Sequence, residues 1–407
     1  MRRLSIMVVA GEPSGDLLAA ELVDALRDRL SSAPRDARGV SVLGEASLEP
    51  VFFGAGGPRM KVAGVEILHD LTARSVIGPT EVVANYGAFR RIFKQLIAEA
   101  RARQPDVVIL VDFSHFNQRL GEAIRRVAGT GRRPFHNWNP LLVKYVSPQV
   151  WASRPGRSAA IARTFDLLLC ILPFEQAWYA KREPRLKTVY VGHWIMDRYP
   201  ATPVVSSTPP VHPPLILLLP GSRPGEIRRH AGVLVESVAR LRKRVDVRAV
   251  LAVPNQSLAE LVQRACGDLG GVKVEVGNLG RHLQSATMAI AATGSVTLEC
   301  ARFGLPTVAI YKTSWLTYQI AKRLITVSYL SMPNLLANEP LFPEFIQDKA
   351  TPEAISEECV RLLTDERRRA TVKQRLQTVI QSLGNGGAGQ RAAEQVLQLL
   401  KDRSVAF

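Results

Sequence analysis

Two hydrophobic rhythms alternate along the chain. Short, nearly unbroken apolar runs occur at Leu4–Ala10, Val51–Gly54, Asp106–Val111, Leu141–Val146, Asp166–Leu172 and Thr188–Val191. Strands are read again at Leu215–Leu219, Arg248–Val253, Lys273–Val276, Met288–Ala292 and Thr307–Ile310, Lys273–Val276 alternating rather than unbroken. Runs of this length without polar alternation predict strands buried on both faces. Between them the apolar residues return at helical spacing, as in Leu18, Leu22, Leu26 and Leu30. Alternating strands and helices predict a mostly parallel sheet covered on both faces, which binds ligands beyond the carboxyl ends of its strands. The rhythm breaks between Tyr199 and Pro214, YPATPVVSSTPPVHPP, where prolines replace periodicity and predict a semi-stiff linker. Two doubly wound α/β domains facing a central cleft are therefore expected, at residues 1–199 and 215–384, joined by 200–214. The turn Gly384–Gly387 leads to an amphipathic segment, Ala388–Lys401, so that 385–407 is expected to pack back on an N-terminal domain. Ser31–Pro50 reads as an irregular insertion. A chain of 407 residues is long enough for two cores.

Candidate chemistry falls at strand ends. Leu215–Leu219 breaks at Pro220-Gly221-Ser222-Arg223 into a basic helix start. Helix N-terminal amides are open donors with partial positive charge, and an arginine fork can hold phosphate oxygens, so Ser222 and Arg223 predict an anion seat. A second turn follows Met288–Ala292. Gly294, Ser295, Val296 and Thr297 open a helix there, and Glu299 lies one turn in, where a carboxylate can accept from both hydroxyls of a ribose. The plainer reading makes Ser295 an N-cap and Glu299 a helix-dipole partner. Gly277, directly after Lys273–Val276, joins the nucleotide set. In the first half, Asp112 ends a strand with His115 three residues on, and Glu12 and Ser14 occupy the first strand-to-helix turn. An acid or imidazole there can take a proton from an attacking hydroxyl; a helix cap and a packed histidine are the plainer alternatives. Asn117 and Ser147 follow strands on the same side and are expected, with Ser14, to line the cleft on the acceptor side.

Absent motifs narrow the class. Neither G-x-G-x-x-G nor a P-loop follows a strand, which argues against a dinucleotide dehydrogenase and a P-loop NTPase. No D-x-D pair or metal-spaced His/Cys cluster occurs. The reading therefore names no cofactor and no metal, and leaves any leaving phosphate to be neutralised by protein groups.

Charge adds the kind of partner. The sequence carries 53 Lys and Arg against 36 Asp and Glu, a net charge of +17, which favours anionic partners. Basic residues are dispersed and aromatic residues make up only 6%, so a nucleic-acid groove is not favoured. Ser75–Arg103 and Tyr318–Leu330 each mix apolar residues with Arg and Lys and fit either a membrane-facing or a core-packed helix. No uncharged run approaches the ~20 residues that span a bilayer. The short run after Met1-Arg2-Arg3 leads straight to Glu12 and Asp16, which does not fit a secretory leader. Cys170, Cys266, Cys300 and Cys359 are far apart and read as reduced thiols.

Nine ordered segments carry a family resemblance: AGEPSGD (10–16), GAGGPRM (54–60), PDVVILVDFSHFN (105–117), KYVSPQVWASRPGR (144–157), LLCILPFEQAWY (168–179), VGH (191–193), LLPGSRPGEIRR (218–229), ATGSVTLE (292–299) and SYLSMPNLLA (328–337). Together they resemble the lipid-A-disaccharide synthases, inverting glycosyltransferases of the GT-B fold with two Rossmann-like domains. The resemblance implies transfer of 2,3-diacylglucosamine from its UDP conjugate to 2,3-diacylglucosamine 1-phosphate, forming a β(1→6) disaccharide and UDP. It also implies a lipid acceptor on the first domain, UDP on the second, peripheral contact with the anionic cytoplasmic face of a bacterial inner membrane, and a homodimer that exchanges C-terminal segments. In residue terms it implies Asp112 as general base, Glu12 and Ser14 lining the cleft, Arg223 and Gly294–Thr297 on phosphate, Glu299 on ribose and Asn334 facing the centre. Three departures touch the acceptor half. His115 stands where the family usually has a second acid (D-x-P-D-F-N), Trp194 stands where proline commonly follows G-H, and Arg132–Pro140 is additional.

Overall fold

A computed structural model describes residues 3–31, 50–75, 86–130, 138–199 and 212–405. The insertion at 32–49, most of the linker at 200–211 and most of the additional stretch, 131–137, lie outside the described residues, as do 76–85. The chain divides into two compact units: Met1–Asp197 with Asn385–Phe407, and Arg198–Gly384.

The first unit holds strands β1 (Ser5–Ala10), β2 (Val51–Gly56), β3 (Glu66–Asp70), β4 (Val107–Val111), β5 (Leu141–Tyr145), β6 (Leu167–Cys170) and β7 (Lys187–Tyr190). They form one seven-stranded sheet in the order β3-β2-β1-β4-β5-β6-β7, with every pairing parallel. Ile6, Val8 and Ala10 face one core and Met7 and Val9 the other. A strand covered on both sides has no reason to alternate with polar residues, which is why these segments read as unbroken apolar runs.

The second unit repeats the plan with β8 (Leu215–Leu219), β9 (Arg248–Val253), β10 (Lys273–Val276), β11 (Met288–Ala292), β12 (Thr307–Tyr311) and β13 (Glu344–Ile346), in the order β10-β9-β8-β11-β12-β13. Both sheets reverse their winding at one place, between β1 and β4 and between β8 and β11. The crevice beyond the carboxyl ends at such a point is where this architecture binds ligands. Two strands were not legible as apolar runs, β3 (EILHD) and β13 (EFI). Each is a sheet edge, none of its residues is fully buried, and solvent exposure relaxes the demand for apolar side chains.

The last helix, Ala388–Val405, belongs to the first unit. Ala392, Ala393, Val396 and Leu397 enter the core formed with the Pro13–Ser31 helix. Arg391 Nε donates to Val191 O at 2.7 Å, and the Asp197 carboxylate accepts from the amides of Gly387 and Ala388. Of the two ambiguous amphipathic segments, Tyr86–Arg103 spends its apolar stripe on the core through Ile92, Leu96 and Ala100. Trp315–Leu324 does the opposite. None of its residues is buried, and Trp315 is 72%, Leu316 64% and Ile320 50% exposed.

Candidate active site

At the switch point of the first sheet, Ala10 and Val111 are register partners, so Gly11 and Asp112 leave the sheet side by side. Asp112 and Phe113 both adopt left-handed backbone, φ 46° and 42°. That region is uncommon for residues other than glycine and costs on the order of 1–3 kcal/mol each, so the surroundings must impose it. Three groups do so. The Asp112 amide donates to Tyr145 O at 2.9 Å, and Asn117 Nδ2 donates to Val111 O at 2.9 Å and Asp112 O at 3.0 Å. Lys144 Nζ donates to the same Asp112 carbonyl. The Asp112 carboxylate makes no hydrogen bond among the described residues, so it is not spent as a helix cap. Its Cβ lies 3.5 Å from where a Cβ on Gly15 would stand, against the opening turn of the Pro13–Ser31 helix. Glu12 is half-buried and Ser14 exposed on that same turn, while His115 is exposed one residue into the Ser114–Thr130 helix.

Two expected cleft residues face inward instead. Asn117 is fully buried with its Nδ2 tying the ends of β4 and the Asp112 turn, so its role is to hold that turn rather than to meet a ligand. Its Oδ1 has no partner among the described residues. Ser147, past the end of β5, is also buried, in a polar cluster with Glu175, Trp151, Tyr179 and Cys170. Trp151 Nε1 donates to Glu175 Oε1 at 2.9 Å, and the Leu172 amide donates to Glu175 Oε2 at 3.1 Å. Burial outweighs these hydrogen bonds and pushes the Glu175 carboxyl up to about 7.

Lys144 and Asp16 were missed as site residues. Lys144 sits in a strand with no exposure at all, and burial brings its ammonium down to about 7, with the Asp112 charge acting in the opposite direction. A lone lysine in an otherwise apolar strand, KY directly before VSP, was the available signal. Asp16 explains why AGEPSGD and GAGGPRM occur together. Its buried carboxylate accepts from the amides of Gly57 (2.7 Å), Arg59 (3.0 Å) and Met60 (3.2 Å), capping the short helix after β2.

In the second unit the two phosphate turns follow β8 and β11, adjacent strands with Leu219 paired to Ala291. One of them differs from expectation. The Ser222 and Arg223 amides are not open donors, because the Glu226 carboxylate accepts from both, at 2.9 and 3.2 Å. The same side chain fills the space over Gly221, where a Cβ would lie 2.3 Å from Glu226 Oε2. What this turn presents is the Arg223 guanidinium, 69% exposed and 3.9 Å from Glu226. The other turn is open: nothing lies within 4 Å of where a Gly294 Cβ would be, and Gly294, Ser295 and Val296 are not buried. The Ser295 and Val296 amides open the Ser295–Arg302 helix, where the helix itself supplies no acceptor. Thr297 is turned inward, its amide and hydroxyl both donating to Gly294 O.

Glu299 is buried and occupied. Tyr199 Oη donates to its Oε2 at 2.5 Å and Arg198 Nη1 stands 3.6 Å from Oε1. Burial raises its pKa against both partners. Tyr199 was also missed; it is fixed from a second side by Arg302, which donates to its carbonyl at 2.7 Å. Gly277 ends β10 with φ 73°, and β9 separates it from β8. Asn334 is fully buried. Its Nδ2 donates to Phe342 O and Glu344 Oε1 and its Oδ1 accepts from Phe342 N, which clamps the Met332–Ala337 helix onto β13. Among the described residues no group of three or more His, Cys, Asp or Glu is placed to hold a metal ion.

The profile of the lipid-A-disaccharide synthetase family matches residues 6–399. The chain belongs to that family. The lipid-A-disaccharide synthase of Alkalilimnicola ehrlichii is 36% identical over 403 residues, covering 96% of this chain and 97% of the relative. Among solved structures, a UDP complex of S. aureus MnaA superposes with a TM-score of 0.62 at 14% identity, covering 98% and 97% of the two chains. The calicheamicin glycosyltransferase CalG4 gives a TM-score of 0.54 at 16% identity over 99% and 100%. At such identities these likenesses concern the fold alone, which is GT-B. The family assignment places the chain among glycosyltransferases of lipid A biosynthesis.

Proposed function

We propose that this synthase-family member transfers 2,3-diacylglucosamine from UDP-2,3-diacylglucosamine to the 6-hydroxyl of 2,3-diacylglucosamine 1-phosphate by one inverting displacement. The observation that carries this reading is the carboxylate of Asp112, left without a hydrogen-bond partner among the described residues on a left-handed turn that Asn117 and Lys144 hold in place. Asp112 takes the proton of the acceptor hydroxyl as its oxygen bonds to the anomeric carbon; the bond from that carbon to the UDP oxygen breaks, and inversion turns an α-linked donor into a β-linked product. The charge that builds on the departing diphosphate is met by the Ser295 and Val296 amides and the Arg223 guanidinium, without a metal. Glu12 and Ser14 flank the base. Glu299 accepts from the ribose once Tyr199 Oη releases one of its oxygens.

Incubating purified protein with both substrates in EDTA is the test. UDP and disaccharide are expected only when donor and acceptor are both present; UDP or an epimerised sugar from donor alone would instead favour a UDP-sugar epimerase.

Acylated substrates bring the reaction to a membrane surface. No helix among the described residues is long and apolar enough to cross a bilayer. The exposed Trp315, Leu316 and Ile320, with Lys322 and Arg323 on the same helix, suit peripheral attachment to anionic lipid instead. Replacing Trp315 and Ile320 together by serine is expected to reduce sedimentation with phosphatidylglycerol vesicles by about tenfold or more, since each buried side chain contributes about 1.5–3 kcal/mol. Unchanged sedimentation would remove this helix from the attachment surface.

A further inference from the structure

Four basic side chains gather on the helix that follows the Asp112 turn and on the 3-10 turn that leads into the neighbouring helix. His115 and Arg119 are one helical turn apart on the Ser114–Thr130 helix and so share a face. Arg154 and Arg157 flank a single 3-10 turn, closed by Arg157 N donating to Arg154 O at 3.0 Å. The two pairs belong to elements that pack together: Gln118 donates to Ala160 O at 3.3 Å and Thr164 Oγ1 at 3.1 Å, on the Ser158–Thr164 helix that begins directly after Arg157. All four side chains are exposed. Partial burial first, and then the charges of Arg119, Arg157 and Arg154, hold His115 below its ordinary value, in keeping with this packing of the two elements. Glu122 is the acidic group that opposes them, and it also accepts from Gln118 at 2.9 Å. None of the three arginines has a side-chain hydrogen bond or ion pair among the described residues.

Like charges gathered in this way repel unless an anion joins them, and guanidinium forks match the oxygens of a phosphate. We propose that His115, Arg119, Arg154 and Arg157 form the binding site for a phosphate monoester, the 1-phosphate of the acceptor sugar. The inference rests on the acceptor reading above and adds to it a place for the acceptor's charged end. Asp112 stands on the turn directly before the helix that carries His115 and Arg119, so the proposal assigns the hydroxyl and the phosphate of one acceptor to neighbouring parts of the first unit.

The test compares wild type with Arg154→Ala/Arg157→Ala. Wild type is expected to prefer the phosphorylated acceptor to the same sugar lacking phosphate. The double variant is expected to raise the acceptor KM by about tenfold or more and to lose that preference, with the donor KM unchanged. Arg154→Lys/Arg157→Lys, which keeps charge but not the fork, is expected to fall between them. A double variant with wild-type acceptor KM and preference would overturn the proposal. So would one that lost only its binding to phosphatidylglycerol vesicles, because the cluster would then serve lipid headgroups. Calorimetric titration with glucosamine 1-phosphate separates this idea from the transferase reading. Binding by wild type, lost in the double variant, with no disaccharide formed by either, would keep the site and reject the reaction.

Discussion

Asp112→Asn is expected to lower kcat by about 10²–10⁴-fold, the usual worth of a positioned general base, while leaving the affinity for UDP unchanged. Asparagine keeps the shape and tolerates the left-handed backbone at this position, so the turn survives and only the proton acceptor is lost. Single-turnover kinetics with both substrates, together with calorimetric UDP binding, would measure this. Wild-type turnover in the variant would move the base to another group, and Glu12 and His115 are the neighbours to examine next. A loss of UDP binding would mean that the substitution had damaged more than the first domain.

The second large effect concerns Lys144→Met, expected to gain stability and lose activity together. The folded lysine titrates at about 7, against 10.5 for an ordinary lysine. Between those values the unfolded chain holds a proton that the folded chain has shed, so this group makes stability rise with pH from about 7 to about 10.5. Below about 7 both states are charged and the full burial cost applies. Each unit of difference corresponds to about 1.4 kcal/mol. Replacing a buried charge by an apolar side chain of similar length is therefore expected to stabilise the fold by roughly 1–4 kcal/mol at pH 6, with the gap to wild type closing toward pH 10. Activity should move the other way. Without its ammonium, the Asp112 carbonyl keeps Asn117 alone, and a misplaced base costs roughly ten- to a hundredfold in kcat. Urea unfolding of both proteins across this pH range, beside kcat at one pH, would show the two trends. A gap that does not change with pH would mean that Lys144 does not carry a buried charge.

The sequence made the interior of both sheets readable because central parallel strands are buried on two faces, and burial on two faces leaves a pattern. β3 and β13 are edge strands, which have no such requirement; the other two edges, β7 (KTVY) and β10 (KVEV), were read because they kept β-branched residues. At the site, glycine turns after strands were legible as turns: Gly294 stands over open space, as its neighbours suggested. Occupancy was not legible. That Glu226 takes the Ser222 and Arg223 amides follows from a hydrogen bond closed within one helical turn, and the motif P-G-S-R-P-G-E contains the acid that makes it. Asn117 and Asn334 read as ligand groups because both lie in motif-rich segments, yet each spends its amide on backbone of its own domain. Polar residues in such motifs hold the turns that present the chemistry as often as they perform it. Lys144 was missed for the converse reason: a lone lysine in an apolar strand signals a buried charge, but nothing in the strand says that its tip reaches a carbonyl at the strand end.

The most direct measurement is to react purified protein with UDP-2,3-diacylglucosamine and 2,3-diacylglucosamine 1-phosphate and determine the anomeric configuration of the product by NMR while counting UDP. A single displacement by an Asp112-activated hydroxyl predicts a β(1→6) disaccharide and one UDP per linkage. An α-linked product, or UDP released without a new glycosidic bond, would contradict it.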